Sequence, residues 1–282
     1  MYSIKYKGDD GKEVLFSANG GIVCDMNVGD GMAVNISTSQ GFSQVGETVQ
    51  SRSVGGKIID VKGTIFRDVQ NVKRKMINSL TPFSSGTLFF EGTHKIRVVV
   101  KTSPSFSPVK NNGKFSMQFF APFPFFYSVE EETKVIGRIV PLFSFPANYG
   151  NAHTFGQREK SAYMLLENEG DVNVPYSIVL ECTGASTNPT ITNLHTFEFL
   201  KLNGNLENGD VVTITRNKDE VLTATLTRDG QNIDIISWID EGSTFFELAV
   251  GDNMVAINDD EGGVGLLGRI SYSPAVVAVY ES

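Results

Sequence analysis

The stretch KIIDVKGTIFRDVQNVKRKMINSL, residues 57–80, changes its hydrophobic period once, and that change decides the fold of the first half of the chain. Its first part alternates, with Ile59, Val61 and Ile65 on one face, which is typical of a strand that buries one side. From Asp68 the apolar residues recur at spacings of three and four, which predicts a helix of about three turns that Asp68 can cap. The apolar face of this helix consists of Val69, Val72, Met76 and Leu80. Because an isolated helix of this length is marginal, it must pack on a sheet.

Further strand patterns lie on both sides of this stretch. Residues 3–6 and 13–16 flank Gly8-Asp9-Asp10-Gly11, and Asp and Gly tolerate the positive φ of a tight turn, so a hairpin is predicted there. More strands are predicted over residues 86–90, 95–101 and 114–121. The first half is therefore predicted to be a β domain with one helix.

The aromatic stretch FSMQFFAPFPFFYSVEEE, residues 115–132, closes this half. Phe115, Met117 and Phe119 are predicted to share one face of a strand, which we interpret as the last strand of the first domain. Two prolines end it, since proline has no amide donor for a β-ladder. The remaining aromatic residues are predicted to make contacts at the domain boundary or with a neighbouring protomer: Phe123, Phe125, Phe126 and Tyr127. No apolar run reaches the ~18 residues of a membrane helix, so membrane insertion is not expected.

The second half carries short strand patterns and no comparable helical one. Segments such as VPYSIVLECT and DVVTITR lie between Gly, Asn and Asp turns, and this spacing predicts a β-sandwich or jelly roll. The chain is thus predicted to be mainly β. Residues 1–138 would form a β-sandwich or barrel-like domain with one α-helix, and residues 139–282 a second β-sandwich domain.

The charge distribution supports two different domains. Residues 1–140 contain 17 Lys and Arg against 12 Asp and Glu, a balance of +5, whereas residues 141–282 contain 7 against 20, a balance of −13. The basic half has no dense cluster beyond Lys73-Arg74-Lys75, and the acidic half repels nucleic acid. Specific nucleic-acid binding is therefore not expected.

No motif in the sequence indicates an active site, a cofactor site or a metal site. The three histidines are scattered, no nucleotide-binding or hydrolase motif occurs, and Asp259-Asp260-Glu261 before two glycines is typical of a solvated turn. Cys24 and Cys182 lie far apart and indicate buried free thiols, as found in a reducing compartment. The lone Trp238 is either a half-buried core residue or a stacking platform for a saccharide. Three functions stay open: a structural protein, a carbohydrate-binding module and, without a supporting motif, a hydrolase.

The order of elements in the first half is similar to that of the distal tail protein family of long-tailed phages, also called the siphovirus tail component family. The matching features are a strand ending in Gly63-Thr64, a basic helix closing with Leu80-Thr81-Pro82, the strand GTLFF at residues 86–90, the strand around Ile96-Arg97-Val98, and APFPFF at residues 121–126. In the second half, YMLLENEGDVNVPYSIVLECTG, FEFLKLNG and GDVVTITR resemble the C-terminal domain of the same family. The resemblance covers most of the chain.

The resemblance implies a viral structural protein and not an enzyme. Members form a hexameric ring at the distal tail end, a baseplate hub that joins the tail tube protein to the tail-associated fibre or lysin protein and to receptor-binding proteins. The N-terminal domain would build the ring around a channel for DNA, and the C-terminal domain would be a galectin-like jelly roll that projects outward. The expected location is the virion tail, assembled in the host cytoplasm, with no cofactor. A carbohydrate-binding module for host cell-wall saccharide, using Trp238, is the alternative.

Overall fold

The computed structural model of the chain describes residues 3–28, 31–32, 34–108, 113–136, 139–141, 156–158, 163–216, 221–260 and 265–279. The fold is mainly β, as predicted. The chain divides into two compact units. Unit 1 comprises Met1–Glu130 and Ala275–Ser282, and unit 2 comprises Glu131–Pro274.

Of the twelve described helices and strands of unit 1, eleven lie before residue 130. In chain order they are β1 Ile4–Gly8, β2 Glu13–Phe16, β3 Ile22–Met26, β4 Val34–Ser39, β5 Thr48–Val54, β6 Lys57–Ile65, α1 Val69–Ser79, β7 Ser85–Phe90, β8 His94–Phe106, β9 Lys114–Ala121 and β10 Phe126–Ser128. The predicted hairpin is present, since β1 pairs with β2 from Ile4↔Phe16 to Lys7↔Glu13.

The main sheet of unit 1 bends back toward itself. Its strand order is β2-β1-β7-β8-β9-β6-β3, so β2 and β3, which follow one another in the chain, stand at opposite ends of the sheet. Only residues 17–21 join them, and the Ile22 amide donates to the Ser17 carbonyl at 3.0 Å. Such a short connection requires strong curvature, which gives the barrel-like form that was predicted.

The strand faces in this sheet follow the predicted alternation. Ile59 and Val61 of β6 are fully buried, and Phe115, Met117 and Phe119 of β9 point into the same core. The opposite face of β9 carries polar residues and the exposed Phe120. The core between these faces is aromatic-rich, with Tyr6 stacked on Phe119 at a centroid distance of 5.5 Å.

Helix α1 packs on this core through the predicted residues, because Met76 and Leu80 are buried and Val69 and Val72 contact the cluster. The predicted cap by Asp68 is wrong. Asp68 holds the N-cap position with φ 47°, but its carboxylate accepts hydrogen bonds from the Asn71 side chain at 2.9 Å instead of binding a backbone amide. In the described residues no helix is long and apolar enough to cross a membrane.

The interpretation of FSMQFF as the last strand of the first domain is also wrong. The short strand β10 follows it and pairs with β8 at Tyr127↔Lys95. A last strand, β25 Ala275–Val276, joins the same sheet by pairing with β10 at Phe126↔Val276. Two prolines therefore interrupt this part of the sheet without ending it.

Unit 2 consists of short strands and one 3₁₀ turn within the described residues. They are β11 Glu132–Ile136, β12 Ile139–Pro141, β13 Gly156–Arg158, β14 Met164–Asn168, β15 Tyr176–Cys182, β16 Ser186–Thr187, β17 Thr190–Asn193, β18 Phe199–Lys201, β19 Asn205–Leu206, β20 Val211–Arg216, β21 Leu222–Arg228, β22 Gln231–Asp234, the 3₁₀ turn Ile236–Trp238, β23 Gly251–Asn258 and β24 Leu266–Tyr272.

Two sheets form the sandwich of unit 2. One has the order β11-β24-β15-β20-β21-β22 and the other the order β14-β23-β17-β18. Their strands alternate between buried and more exposed residues, as in Tyr176–Cys182, so each sheet buries one face. At Gly268 of β24 a side chain would overlap the Ile257 side chain of β23, which shows that the two sheets meet at this glycine.

Candidate functional site

The described part of the chain holds no cluster suited to metal binding. No group of three or more His, Cys, Asp or Glu side chains among these residues could hold a metal ion. His94 lies beside Thr93, whose hydroxyl is 3.0 Å from its Nδ1, and His195 belongs to an exposed turn, while His153 lies outside the described residues. The Asn188 side chain donates to Asp260 at 2.7 Å, and Glu261 to Gly263 lie outside the described residues.

The two cysteines are free thiols, as predicted, but the prediction that both are buried is wrong for Cys24. Cys182 is buried and Cys24 is half-buried. Burial raises the pKa of the Cys24 thiol to about 12 and that of the Cys182 thiol to about 11. A nucleophile needs its thiolate near neutral pH, so neither residue is suited to covalent catalysis.

The most unusual feature of unit 1 is the hairpin β4–β5, which we call the arm (residues 34–54). Its strands pair only with each other among the described residues, from Val34↔Val54 to Ser39↔Thr48, with one register shift after Ser37. Every residue of both strands is exposed, so neither face contacts a core. A lone two-stranded hairpin is marginally stable in water, and its outer backbone groups are open to another strand.

The arm also exposes apolar side chains where a solvated hairpin would carry polar ones. Phe42 and Val45, at its tip, are fully exposed, and Ile36 in β4 is 57% exposed. Polar side chains shape the turn, since Gln44 accepts from the Gly41 amide and donates to Thr48, both at 2.9 Å. The arm is thus an apolar-tipped hairpin whose two strands are exposed along their whole length within the described part of the chain.

Sequence reasoning missed the arm, although a signal was present. In VNIS, residues 34–37, apolar and polar residues alternate as in a half-buried strand. The alternation does not show that the described part of the chain lacks a surface to cover this strand. The exposure of both faces is visible only in three dimensions.

The predicted boundary aromatics are split between core and surface. Phe126 is fully buried in unit 1, where its ring meets Phe90 edge-on at 5.3 Å and lies under the Lys57 ammonium. Phe125 and Tyr127 are half-buried, and Phe123 is 40% exposed. A contact of Phe123, Phe125 or Tyr127 with a neighbouring protomer stays a prediction, whereas Phe126 is covered by its own unit.

Trp238 is half-buried at the end of the 3₁₀ turn of unit 2. One part of its indole ring lies against Gly204, where a Cβ atom would overlap the ring. Its carbonyl accepts from the Asn203 amide at 2.7 Å. These contacts fit the core alternative, and a saccharide contact of Trp238 stays a prediction.

The comparisons with known proteins match both halves of the fold. Residues 169–274, all within unit 2, match the family model described as the siphovirus-type tail component, C-terminal domain. No curated protein sequence matches the chain.

Solved structures match over the whole length. The crystal structure of the Dit protein (gp 19.1) of phage SPP1, described as a paradigm of hub adsorption apparatus in phages that infect Gram-positive bacteria, has a TM-score of 0.67 and 11% identity over 98% of this chain and 99% of that one. Structures of the phage P2 baseplate in its activated conformation, with Ca and with Sr, each have a TM-score of 0.53 and 11% identity over 99% of this chain and 100% of the matched chain.

The family model agrees with the resemblance found in the sequence, and the fold of a Dit protein extends over nearly the whole chain. Residues 169–274 therefore match the C-terminal domain of siphovirus-type tail components, and the chain as a whole has the fold of the Dit protein of phage SPP1.

Proposed function

We propose that the chain forms a homo-oligomeric ring at the distal end of a phage tail, with a structural and not an enzymatic role. The ring would have six copies and a central channel for DNA, as the family resemblance implies. It would join the tail tube protein to the fibre or lysin protein and to receptor-binding proteins. Residues 1–138 would form the ring and residues 139–282 would project from it, in a virion tail assembled in the host cytoplasm.

The observation that supports a ring is the arm. It exposes Ile36, Phe42 and Val45, and its outer strand edges have no strand partner among the described residues, whereas the main sheet of unit 1 packs around a buried core. A head-to-tail contact, in which the arm of one copy covers a different surface on the next, would bury these groups and close a ring. The same contact repeats around the ring, so one arm per copy is sufficient.

Mass photometry of the full chain tests the proposal. We expect a species with the mass of six chains of 30.8 kDa each, and rings in negative-stain images. The double variant Phe42→Ser/Val45→Ser should stay monomeric with an unchanged thermal midpoint, because both side chains are fully exposed in the single chain. Val250→Ser, an exposed apolar site in unit 2, is the matched control and should still assemble. A double variant that assembles like the wild type would refute the role of the arm.

The full chain is the right material for this experiment. Strand β25 returns from the end of the chain to pair with β10 of unit 1. A truncation after residue 138 would therefore remove a strand from the sheet whose assembly is under test. Point variants in the arm leave that sheet complete.

A further inference from the structure

An apolar surface occupies one part of the outer face of the four-stranded sheet of unit 2, next to the polar residues Thr190 and Thr192 of β17. In β14 the side chains of Leu166 and Asn168 point inward and are buried, whereas Tyr163 and Leu165 are exposed on the other side. Leu165 pairs with Met254 of β23. The Leu194 amide donates to the Met254 carbonyl at 2.8 Å, so Leu194, which follows β17, lies beside Met254. We call Tyr163, Leu165, Leu194 and Met254, together with Phe197 of the turn that begins at Leu194, the outer patch.

Phe197 is the most exposed member of the outer patch, at 77%. Its backbone has φ 59°, in the left-handed region that a bulky side chain rarely adopts. The turn is held firmly, since the buried Asn193 side chain accepts from the amides of His195 and Thr196. The chain thus fixes a large aromatic side chain in solvent in a strained conformation, a feature that clusters at functional sites.

Two carboxylates stand at the edge of the outer patch. Glu167 and Asp252 are directly opposite each other in the β14–β23 ladder, two register pairs beyond Leu165 and Met254 and on the same face, and both are exposed. Like charges at opposite positions destabilise a sheet. A cationic group placed between them would relieve this repulsion.

We propose that the outer patch binds a second, different protein, one that presents Lys or Arg side chains beside an apolar pocket. Phe197 would fill the pocket as an aromatic anchor, and Glu167 and Asp252 would pair with the cations at the rim. A second copy of this chain fits poorly, because a symmetric contact between two outer patches would bring two carboxylate pairs together. A neutral saccharide would not relieve the repulsion, and a nucleic acid would increase it. This inference does not depend on the ring.

The test uses the full chain as bait for a displayed peptide library, followed by fluorescence anisotropy with the synthesised peptides. We expect the selected peptides to carry Lys or Arg next to apolar residues. Phe197→Asn should weaken their binding at least about tenfold, because the anchor is lost while Asn tolerates a positive φ. Asp252→Asn should weaken binding less and reduce its dependence on salt. Ile233→Ser, an exposed apolar site on the other sheet, is the control and should bind like the wild type.

Several results would overturn the proposal. The selection could yield no binding peptide, or it could yield only uncharged or acidic peptides. The selected peptides could also bind Phe197→Asn as tightly as they bind the wild type. Mass photometry provides an additional test, since loss of self-association in Phe197→Asn would show that a second copy of the chain occupies the outer patch. If thermal melting shows that Phe197→Asn is poorly folded, Leu165→Ser reports on the same patch, and unchanged binding to that variant would be equally negative.

Discussion

Arg228 forms a bidentate ion pair with the buried carboxylate of Asp210. Its Nε donates to Oδ1 at 2.9 Å and its Nη2 donates to Oδ2, which also accepts from the Glu207 amide at 2.7 Å. The Asp210 side chain is only 3% exposed. Asp210 immediately precedes β20 and Arg228 ends β21, so the ion pair closes the open end of this hairpin in unit 2.

Asp210→Asn should lower the free energy of unfolding of unit 2 by about 1–2 kcal/mol at pH 7. The amide cannot accept both guanidinium bonds, and its own NH₂ group would face Arg228 or the Glu207 amide. Urea denaturation measures the change, and Trp238, the single tryptophan, lies in unit 2 and reports its unfolding. Equal stability of variant and wild type would show that water replaces the ion pair without loss.

The same residue predicts a pH dependence. Hydrogen bonding from Arg228, the largest cause, holds the pKa of Asp210 below its usual value. The ion pair therefore contributes its full stability above the unfolded pKa of about 3.9 and loses it as the pH falls through the lower, folded pKa. The stability difference between wild type and Asp210→Asn should be constant near neutral pH and shrink below about pH 4. A difference that grows on acidification would contradict this assignment.

Gly204→Ala should destabilise unit 2 by about 1–3 kcal/mol, because the added methyl group overlaps the indole ring of Trp238 and must displace it. The displaced ring should also change the fluorescence maximum of the native protein. Gly184→Ala is the matched control, since its nearest neighbour, the Gly265 Cα atom, would be 3.6 Å from the new methyl group. If both variants melt alike, the indole ring has room to move and is not a fixed part of the core.

The two thiols should resist alkylation in the native protein. Because burial raises the pKa to about 12 for Cys24 and about 11 for Cys182, the thiolate fraction of both residues at pH 8 is far below that of an ordinary cysteine with a pKa of about 8.5. Mass spectrometry after iodoacetamide should show no modified native chain in the time that modifies both residues in guanidinium chloride. Rapid native modification of one cysteine would show that its site opens to solvent.

Much of the fold could be predicted because single strands and helices carry their own periodicity. Phe115, Met117 and Phe119 alternate as a half-buried strand must, and the structure buries all three. The apolar residues of helix α1 recur with the longer period of a helix, so this element could be predicted in the same way. The predicted side-chain cap is absent because Asp68 lies in the left-handed region, which turns its carboxylate toward the Asn71 side chain. A cap depends on local dihedral angles that composition does not report.

The candidate interaction surfaces could not be predicted, for a different reason. Leu165 and Met254 are separated in the sequence by more than half of unit 2 and become neighbours only through the β14–β23 register. The pairing of β10 with β25 likewise joins residues on the two sides of unit 2 in the sequence. In the arm, Val34 and Ile36 give a strand pattern without revealing that nothing in the described chain covers them. The register between strands that are distant in the sequence leaves no signal in the local sequence pattern. The same is true of a surface whose partner lies outside the described chain.

Glu167→Gln should stabilise the protein by about 0.2–1 kcal/mol, because it removes one of two like charges at directly opposite positions of the β14–β23 ladder. Both side chains are exposed, so the gain should be smaller in 0.5 M salt than at low salt. Urea denaturation at two salt concentrations measures it, and Glu241→Gln, an exposed glutamate in a turn of the same unit, controls for the change in net charge. An equal gain in both variants would assign the effect to the overall acidity of unit 2. A gain confined to Glu167→Gln would show that this sheet keeps a repulsive pair at the cost of its own stability, as expected if the pair serves to bind a cationic partner.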